Sequence, residues 1–399
     1  MRVGRPRGAA DRSRWSRSSS AARGAKLASR LGIVAAAGAS AVLLLEIAVR
    51  VVLSFDRNYL DEALREPSPA GRRELFLFDF IRSHPDDRVV FELRPGVSGV
   101  LVGQPVAINS FGMRDVERNP AKPPGSLRIV GLGDSHAFGW GVAREETYLA
   151  VLERFLNERF PPRRIEVWNL AVPGYNTVQE VRSFELSADA VDPDVVVVNW
   201  VDNDMDLPNF LARRPDPWTL RRLHLTDVVR QRLAVLRNRA ALPYDLVGLE
   251  PDPVTNRFQM SADRIPARYR GLAGWENMEA AFDHLLALAR ERRIRVVLLL
   301  NPDDYGPLLS GSRSDLVSPA VRALSGRLAR LGVLVVDPQA RIARHLRDSH
   351  LPADSVWIRS TDSHTNPLRH RLLAEVLLEE LLGAGVIPTD PRAEGEGLS

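Results

Sequence analysis

The sequence predicts an α/β fold: a three-layer α/β/α sandwich around a five-stranded parallel sheet, preceded by one N-terminal transmembrane helix. Three observations support this prediction. Short apolar runs alternate with amphipathic helical patterns between residues 126 and 385. One of these runs, residues 193–201, is almost continuously apolar, as a strand buried on both faces should be. An apolar stretch of membrane-spanning length lies near the N-terminus, at residues 31–53.

Composition limits the function classes that need consideration. The chain has 399 residues, of which 45% are hydrophobic and 26% charged, a balance typical of a folded globular protein. It has no cysteine, which excludes disulfides, thiolate metal sites and cysteine nucleophiles. The net charge is +4, but residues 1–30 contain nine basic residues and one acidic residue. The remaining chain is therefore acidic overall, which argues against a nucleic-acid partner.

The apolar stretch at residues 31–53 has the features of a membrane anchor. It would span about 35 Å as a helix, enough to cross a hydrocarbon core of about 30 Å. Glu46 and Arg50 interrupt it, but they are four residues apart and can pair on one helix face. The basic residues before it should stay in the cytoplasm. We therefore expect a single-pass protein of the cytoplasmic membrane that contacts lipid through residues 31–53 and has an extracytoplasmic C-terminal domain.

Two alternatives to an anchor stay open at this point. Ala39-Ser40-Ala41 resembles a signal-peptide cleavage site, although the apolar run continues past it. The same run could also be a buried core helix, although the basic residues upstream of it disfavour that interpretation.

The sequence suggests five regions in addition to the anchor. They are a basic cytoplasmic tail without fixed structure (1–30), a connector (54–125) with a β-hairpin formed by residues 89–93 and 97–102, the main domain (126–385), an arginine-rich insertion within it (207–272), and a flexible tail (386–399). The insertion contains a possible helix at 225–237. Its arginines form either a solvated face or a surface for anionic polysaccharide or lipid headgroups.

The main domain alternates between two kinds of pattern. Apolar runs predict strands at 127–132, 165–172, 193–201, 295–300 and 334–336. Helical periodicity predicts helices at 145–160, 177–190, 274–292, 319–331 and 367–383. Thr177 and Glu180 have the spacing of a capping box. Strands that are joined by helices run parallel, and this predicts the sandwich.

Four polar clusters follow predicted strands or precede the last helix, and all should lie at the carboxyl edge of the sheet. They are Gly133-Asp134-Ser135, Val172–Asn176, Asp202-Asn203-Asp204 and Asp362–Asn366. Taken alone, Ser135 is better explained as a helix cap than as a nucleophile. Taken together, the clusters supply the parts of acyl transfer: the nucleophile Ser135, the base His364, the orienting acid Asp362, and oxyanion donors from the Ser135 N–H, the Gly174 N–H and the Asn203 amide.

With these residues the sequence resembles the SGNH hydrolase superfamily, or GDSL esterases, over residues 126–383. Its four blocks match Gly133-Asp134-Ser135, Asn169–Gly174, Val201–Asp204 and Asp362-Ser363-His364, with Val201 where glycine is usual. The resemblance implies a flavodoxin-like sheet and a serine esterase that needs no cofactor. One departure concerns the orienting acid. The family commonly places it three residues before the histidine, where this chain has Thr361, so Asp337 is an alternative to Asp362.

The chain is also similar to membrane-anchored SGNH proteins of bacterial exopolysaccharide acylation systems. This similarity is carried by Glu46 and Arg50 and by residues 109–115 and 139–142. It implies an O-acylated, typically O-acetylated, extracytoplasmic glycan as substrate. Two alternatives stay open: an O-acetyltransferase with the same Ser-His-Asp site, and an inactive glycan-binding envelope protein. The sequence leaves the oligomeric state undetermined.

Several further residues are candidates for contact with substrate. Trp140 and Tyr175 flank the expected pocket and could stack on a sugar ring, or they are plain core aromatics. His136 follows the nucleophile and is either a wall of the substrate site or structural. His370 is interpreted as a packing residue. The other histidines lack the spacing of metal ligands, so no metal site is predicted.

Overall fold

A computed structural model of the chain describes residues 12–55, 75, 77–161, 163–206, 218, 220, 223–226, 229, 249–251, 258–260 and 271–387. The chain divides into two compact units. The helix unit consists of Met1–Arg57 and Arg214–Pro243, and the sheet unit of Asn58–Arg213 and Tyr244–Ser399. Most of the predicted insertion, including most of its helix at 225–237, and the C-terminal tail from residue 388 lie outside the described residues.

The helix unit contains α1 (Arg12–Phe55). Its Ser29–Val51 portion is 23 residues long and apolar enough to cross a membrane, and almost all of it is exposed. Glu46 and Arg50 pair on one face as predicted, with Arg50 Nε 2.8 Å from Glu46 Oε1. The structure differs from the sequence prediction at the tail, because the helix begins at Arg12. Alanine and arginine, which are frequent there, are good helix formers.

Two small hairpins precede the sheet. After α2 (Leu77–Phe80), β1 (Ile81–Ser83) pairs antiparallel with β2 (Phe91–Leu93), and β3 (Ser98–Leu101) pairs with β4 (Gln104–Ala107). The predicted hairpin between residues 89–93 and 97–102 is therefore wrong, because each run pairs with a different partner. Val102 and Gly103 have φ angles of 51° and 72°, and they form the two-residue turn that joins β3 to β4.

The described strands after β4 are β5 (Leu127–Leu132), β6 (Ile165–Asn169), β7 (Val195–Trp200), β8 (Leu249–Pro251), β9 (Phe258–Met260), β10 (Arg295–Leu300), β11 (Leu334–Val336), β12 (Trp357–Arg359) and β13 (Asp362–Thr365). Five of them form the main parallel sheet in the order β11-β10-β7-β5-β6, which is the flavodoxin-like order. β8 pairs with β9 and β12 with β13 in separate antiparallel hairpins.

Helices cover both faces of this sheet. They are α3 (Ser135–Phe138), α4 (Tyr148–Arg159), α5 (Thr177–Val191), α6 (Trp275–Arg292), α7 (Gly306–Leu309), α8 (Pro319–Arg330), α9 (Gln339–Asp348) and α10 (Pro367–Gly383). One apolar core includes side chains of α4, α9 and α10, and a second includes side chains of α5, α6 and α8. Alternate residues of β7 enter opposite cores, since Val195 and Val197 belong to the first and Val196 and Val198 to the second. This is the predicted three-layer sandwich.

Helix boundaries follow the predicted caps with one shift. Ser318 accepts a hydrogen bond from the Val321 N–H, and Asn366 accepts one from the Arg369 N–H, so both cap their helices. The capping box of α5 is formed by Asn176 and Gln179, one residue before the predicted pair. The predictions did not include α9 or the β12–β13 hairpin.

Candidate active site

Ser135 lies at the point where β5 passes into α3. The turn needs a glycine at 133, because a Cβ there would lie 2.5 Å from the Ala137 Cβ. Asp134 is the N-cap of α3, and its carboxylate accepts a hydrogen bond of 2.8 Å from the His136 N–H. Ser135 is therefore not the cap residue, and its hydroxyl is available for other contacts.

His364 and Asp362 lie on β13 and reach Ser135 as a chain of hydrogen bonds. Ser135 Oγ is 2.8 Å from His364 Nε2, and His364 Nδ1 is 2.5 Å from Asp362 Oδ1. The same carboxylate oxygen accepts a hydrogen bond of 3.1 Å from the His364 N–H. Residues two apart on a strand face the same side, which explains how this spacing permits the contact. The geometry resembles a serine–histidine–aspartate triad.

The two charges of the His364–Asp362 pair stabilise each other. Burial alone would raise the pKa of Asp362, but its hydrogen bond to His364 and the imidazolium charge lower that pKa below its usual value. Burial alone would lower the pKa of His364. The hydrogen bond and charge of Asp362, with the charges of Asp134 and Asp303, outweigh burial and raise that pKa above 6.5. The site therefore favours a positively charged imidazole.

Asp337, the alternative orienting acid, is bound to other groups. Its Oδ2 lies 2.8 Å from Arg322 Nη2 and accepts a hydrogen bond from Gln339 Nε2 at 3.1 Å. Its Oδ1 accepts a hydrogen bond of 3.1 Å from the Gln339 N–H in the first turn of α9. The structure thus brings Asp362, and not Asp337, into hydrogen-bond contact with His364.

Two backbone N–H groups near the serine are free to donate. Within the described part of the chain, neither the Ser135 N–H nor the Gly174 N–H donates a hydrogen bond to a protein acceptor. Gly174 has a φ of 82°, which favours glycine. Asn169 holds this loop to α3, because its amide donates to the Ala137 carbonyl at 3.1 Å and its Oδ1 accepts from the Ala171 N–H at 3.1 Å.

Asn203, the third expected oxyanion donor, is exposed in the turn after β7. Its Nδ2 donates to Asp134 Oδ2 at 3.3 Å, which places the amide beside the residue that precedes Ser135. The turn is held by the adjacent Asp204, whose Oδ2 accepts a hydrogen bond of 3.1 Å from the Thr177 hydroxyl.

His136 is buried against the imidazole of His364, with the two rings stacked at a centroid distance of 4.8 Å. Its Nδ1 lies 2.9 Å from the Thr365 hydroxyl, and its Nε2 lies 3.2 Å from Asp303 Oδ1. Burial, followed by the charges of His364, Arg369 and His370, lowers the pKa of His136 well below its usual value. The neutral form of His136 is therefore favoured, and its Nε2 faces Asp303.

Asp303 is part of this cluster and was not among the residues that the sequence pointed to. The guanidinium of Arg369 is buried and donates to the carbonyls of Asn301, Pro302 and Asp303, which fixes the loop after β10. The carboxyl group is partly exposed. Burial, with the charges of Asp202 and Asp134, raises its pKa to about 6. The signal in the sequence was Asn301-Pro302-Asp303-Asp304 at the carboxyl end of a predicted strand.

The two aromatic candidates for sugar stacking are buried. The Trp140 ring is stacked against His364 at a centroid distance of 5.6 Å. The Tyr175 ring packs edge-on against Phe91, and its hydroxyl donates to the Phe91 carbonyl. The Tyr175 ring is enclosed and has no free face on which a sugar could stack. His370 accepts a hydrogen bond of 3.1 Å from the Tyr148 N–H, which is a packing role.

A model of the GDSL-like lipase/acylhydrolase family matches residues 132–372, which is more than half of the chain and includes all the residues placed together above. The chain belongs to this family. Membership agrees with the resemblance seen in the sequence and makes an acyl ester hydrolase the expected class of enzyme. Within the described residues, no group of three or more His, Asp or Glu side chains could hold a metal ion.

Solved structures with a similar fold include three esterases or hydrolases. An alpha/beta hydrolase from the metagenome of Lake Arreo, Spain, is 20% identical, covers 64% of this chain and 95% of its own, and has a TM-score of 0.37. A variant of an acetylxylan esterase from Geobacillus stearothermophilus is 17% identical with the same coverage and TM-score. Another acetyl xylan esterase is 15% identical, covers 65% and 100%, and has a TM-score of 0.39. No curated protein sequence matches the chain.

Proposed function

We propose that this protein is a membrane-anchored serine esterase that removes O-acyl groups, typically acetyl, from an extracytoplasmic glycan. The observation that carries the proposal of a serine esterase is the continuous contact from Ser135 Oγ through His364 to Asp362, with distances of 2.8 Å and 2.5 Å. Family membership supports the class of reaction. The proposal of a glycan as substrate has two supports. One is the resemblance of residues 46–50, 109–115 and 139–142 to envelope acylation proteins, and the other is Asp303.

In this mechanism His364 accepts the proton of the Ser135 hydroxyl as Oγ attacks the ester carbonyl carbon. The carbonyl oxygen becomes an oxyanion, which the free N–H groups of Ser135 and Gly174 and the amide of Asn203 stabilise. His364 then gives its proton to the leaving alcohol oxygen, and the C–O ester bond breaks. Water, deprotonated by the same imidazole, then attacks the acyl-serine. The bond between the acyl carbon and Ser135 Oγ breaks, Oγ takes the proton back from His364, and the acid is released.

The rate should rise with pH through the pKa of His364, because only the neutral imidazole accepts the serine proton. Asp362 raises that pKa above 6.5, so we expect the acidic limb of kcat/KM to have its midpoint above 6.5. The limb should move to lower pH in Asp362→Asn, in which the carboxylate charge is absent. Initial rates on a small acetyl ester between about pH 5 and about pH 9 test this. An acidic limb that stays in place in that variant would argue that His364 does not titrate in the reaction.

Asp303 supplies a reason for a polyhydroxyl substrate. Asp303 Oδ1 lies 3.2 Å from His136 Nε2, and the carboxyl group is partly exposed. A fixed carboxylate with a free oxygen accepts hydrogen bonds from hydroxyl groups of a sugar. We infer that Asp303 binds a hydroxyl neighbouring the acylated one, and so favours glycan esters over simple alkyl esters.

We expect the wild-type protein to release acetate from an O-acetylated sugar and, with lower kcat/KM, from ethyl acetate. Asp303→Asn should reduce the preference for the sugar ester about tenfold or more, because a buried hydroxyl loses a charged partner. Asp304→Asn, at the exposed neighbouring aspartate, is the matched control and should retain the wild-type preference. If the folded wild-type protein releases acetate from neither ester, the proposal of esterase activity is wrong. An unchanged preference in Asp303→Asn would overturn only the role of Asp303.

A further inference from the structure

The carboxylate of Glu46 ties two distant parts of the helix unit together. Its Oε1 accepts hydrogen bonds from Arg50 Nε at 2.8 Å and from the His224 N–H at 2.9 Å, and its Oε2 accepts one from the Leu225 N–H at 2.7 Å. Glu46 is only 4% exposed, whereas most of the apolar side chains around it on α1 are exposed. A residue of the long apolar helix is thus bound to the backbone of a segment 178 residues away.

The position of Glu46 along α1 fixes the depth of this contact. The apolar portion, Ser29–Val51, is centred on Ser40. Glu46 lies six residues beyond, or about 9 Å along a helix that rises about 1.5 Å per residue. Half the thickness of a hydrocarbon core is about 15 Å. If this portion of α1 spans a bilayer, Glu46 lies within the hydrocarbon, and the backbone of residues 224 and 225 lies there with it.

The segment bound to Glu46 exposes apolar side chains. Leu220 is 97% exposed, and Trp218, Leu223 and Val229 are each at least half exposed. Exposure of these four apolar side chains to water is unfavourable, whereas their contact with lipid chains is favourable. Tryptophan is also enriched at the boundary between headgroups and acyl chains. Glu46 satisfies the backbone N–H groups of His224 and Leu225, as backbone within lipid requires of each polar group.

We propose that the segment carrying Trp218, Leu220, Leu223 and Val229 is a second membrane contact that does not span the bilayer. The four side chains lie among the acyl chains of the leaflet that holds the C-terminal part of α1, and the hydrogen bonds of Glu46 to the His224 and Leu225 N–H groups hold them there. The partner is the apolar region of a phospholipid bilayer. This inference rests on the proposal that α1 is a membrane anchor. It gives the insertion a role that the arginine content alone did not indicate.

The absence of cysteine allows single nitroxide labels to measure depth. Full-length Leu220→Cys, Val34→Cys and Leu186→Cys are each labelled and reconstituted in vesicles of phosphatidylcholine and phosphatidylglycerol. Val34 is an exposed residue of the apolar portion of α1, and Leu186 an exposed leucine of the sheet unit. Relaxation by oxygen and by a water-soluble nickel chelate should place residues 34 and 220 in lipid and residue 186 in water.

The outcomes separate the two proposals. If residue 34 is in lipid and residue 220 is as accessible to nickel as residue 186, the second contact is overturned and the anchor stands. If residue 34 is itself accessible to nickel, the anchor fails, and the second contact fails with it. Glu46→Gln, combined with the label at residue 220, should raise the nickel accessibility of that label about threefold or more. The variant lacks the carboxylate that accepts the His224 and Leu225 N–H groups. The exposed Glu276→Gln in the sheet unit should leave that accessibility unchanged.

Discussion

Ser135→Ala is expected to lower kcat/KM for a small acetyl ester by at least about 10⁴-fold, because it removes the atom that forms the acyl-enzyme bond. The fold should be unaffected. The hydroxyl of Ser135 does not cap α3, since Asp134 does, and its hydrogen bonds are made to the side chains of His364 and Asp134. Steady-state rates, together with circular dichroism and Tm, measure both parts of the expectation.

The matched control for this variant is Ser363→Ala, which removes a serine hydroxyl next to the proposed base. It should retain activity close to that of the wild type. A serine-directed fluorophosphonate should label the wild type and Ser363→Ala, but not Ser135→Ala. Retention of more than about a tenth of wild-type turnover by folded Ser135→Ala would place the nucleophile elsewhere.

The sheet was predictable because three of its strands, β5, β6 and β7, are buried along their whole length. Their largely apolar runs, such as Val195–Trp200, therefore stand out from the amphipathic helices between them. The small hairpins were not predictable in the same way. Their strands are three or four residues long, and the turn that closes one of them is Val102-Gly103. The nearby Pro95-Gly96 has the stronger turn composition, but the strands on its two sides pair with other neighbouring strands, β2 with β1 and β3 with β4.

The sequence placed Ser135 at the carboxyl end of a parallel strand, where open α/β sheets bind ligands. His364 and Asp362 reach it from β13, which belongs to a separate antiparallel hairpin before α10. Local sequence placed Asp303 at the carboxyl end of a predicted strand but did not indicate its position beside His136, because that position depends on the loop that Arg369 holds from another element. The burial of Tyr175 depends in the same way on Phe91, 84 residues away. Nothing in the sequence near Glu46 or near residue 224 indicates that these two residues are in contact.

Asp362→Asn is expected to reduce turnover by about 10² to 10⁴-fold. An amide in place of the carboxylate no longer fixes the proton on His364 Nδ1 and no longer stabilises the imidazolium that forms as the serine attacks. The upper value applies if the carboxylate is the sole orienting group. A backbone carbonyl that takes over part of the orientation gives the lower value. kcat and KM on a small acetyl ester at fixed pH, measured on protein of wild-type Tm, test the loss.

Asp337→Asn distinguishes the two aspartates. Its carboxylate pairs with Arg322 and accepts the Gln339 N–H at the start of α9, so we expect its loss to lower Tm while turnover stays within about threefold of the wild type. If turnover falls strongly in Asp337→Asn and stays near the wild-type value in Asp362→Asn, the orienting acid is not on β13, despite the 2.5 Å contact. Near-normal turnover in both variants would mean that no carboxylate is needed, and that His364 is oriented by the backbone or is not the base.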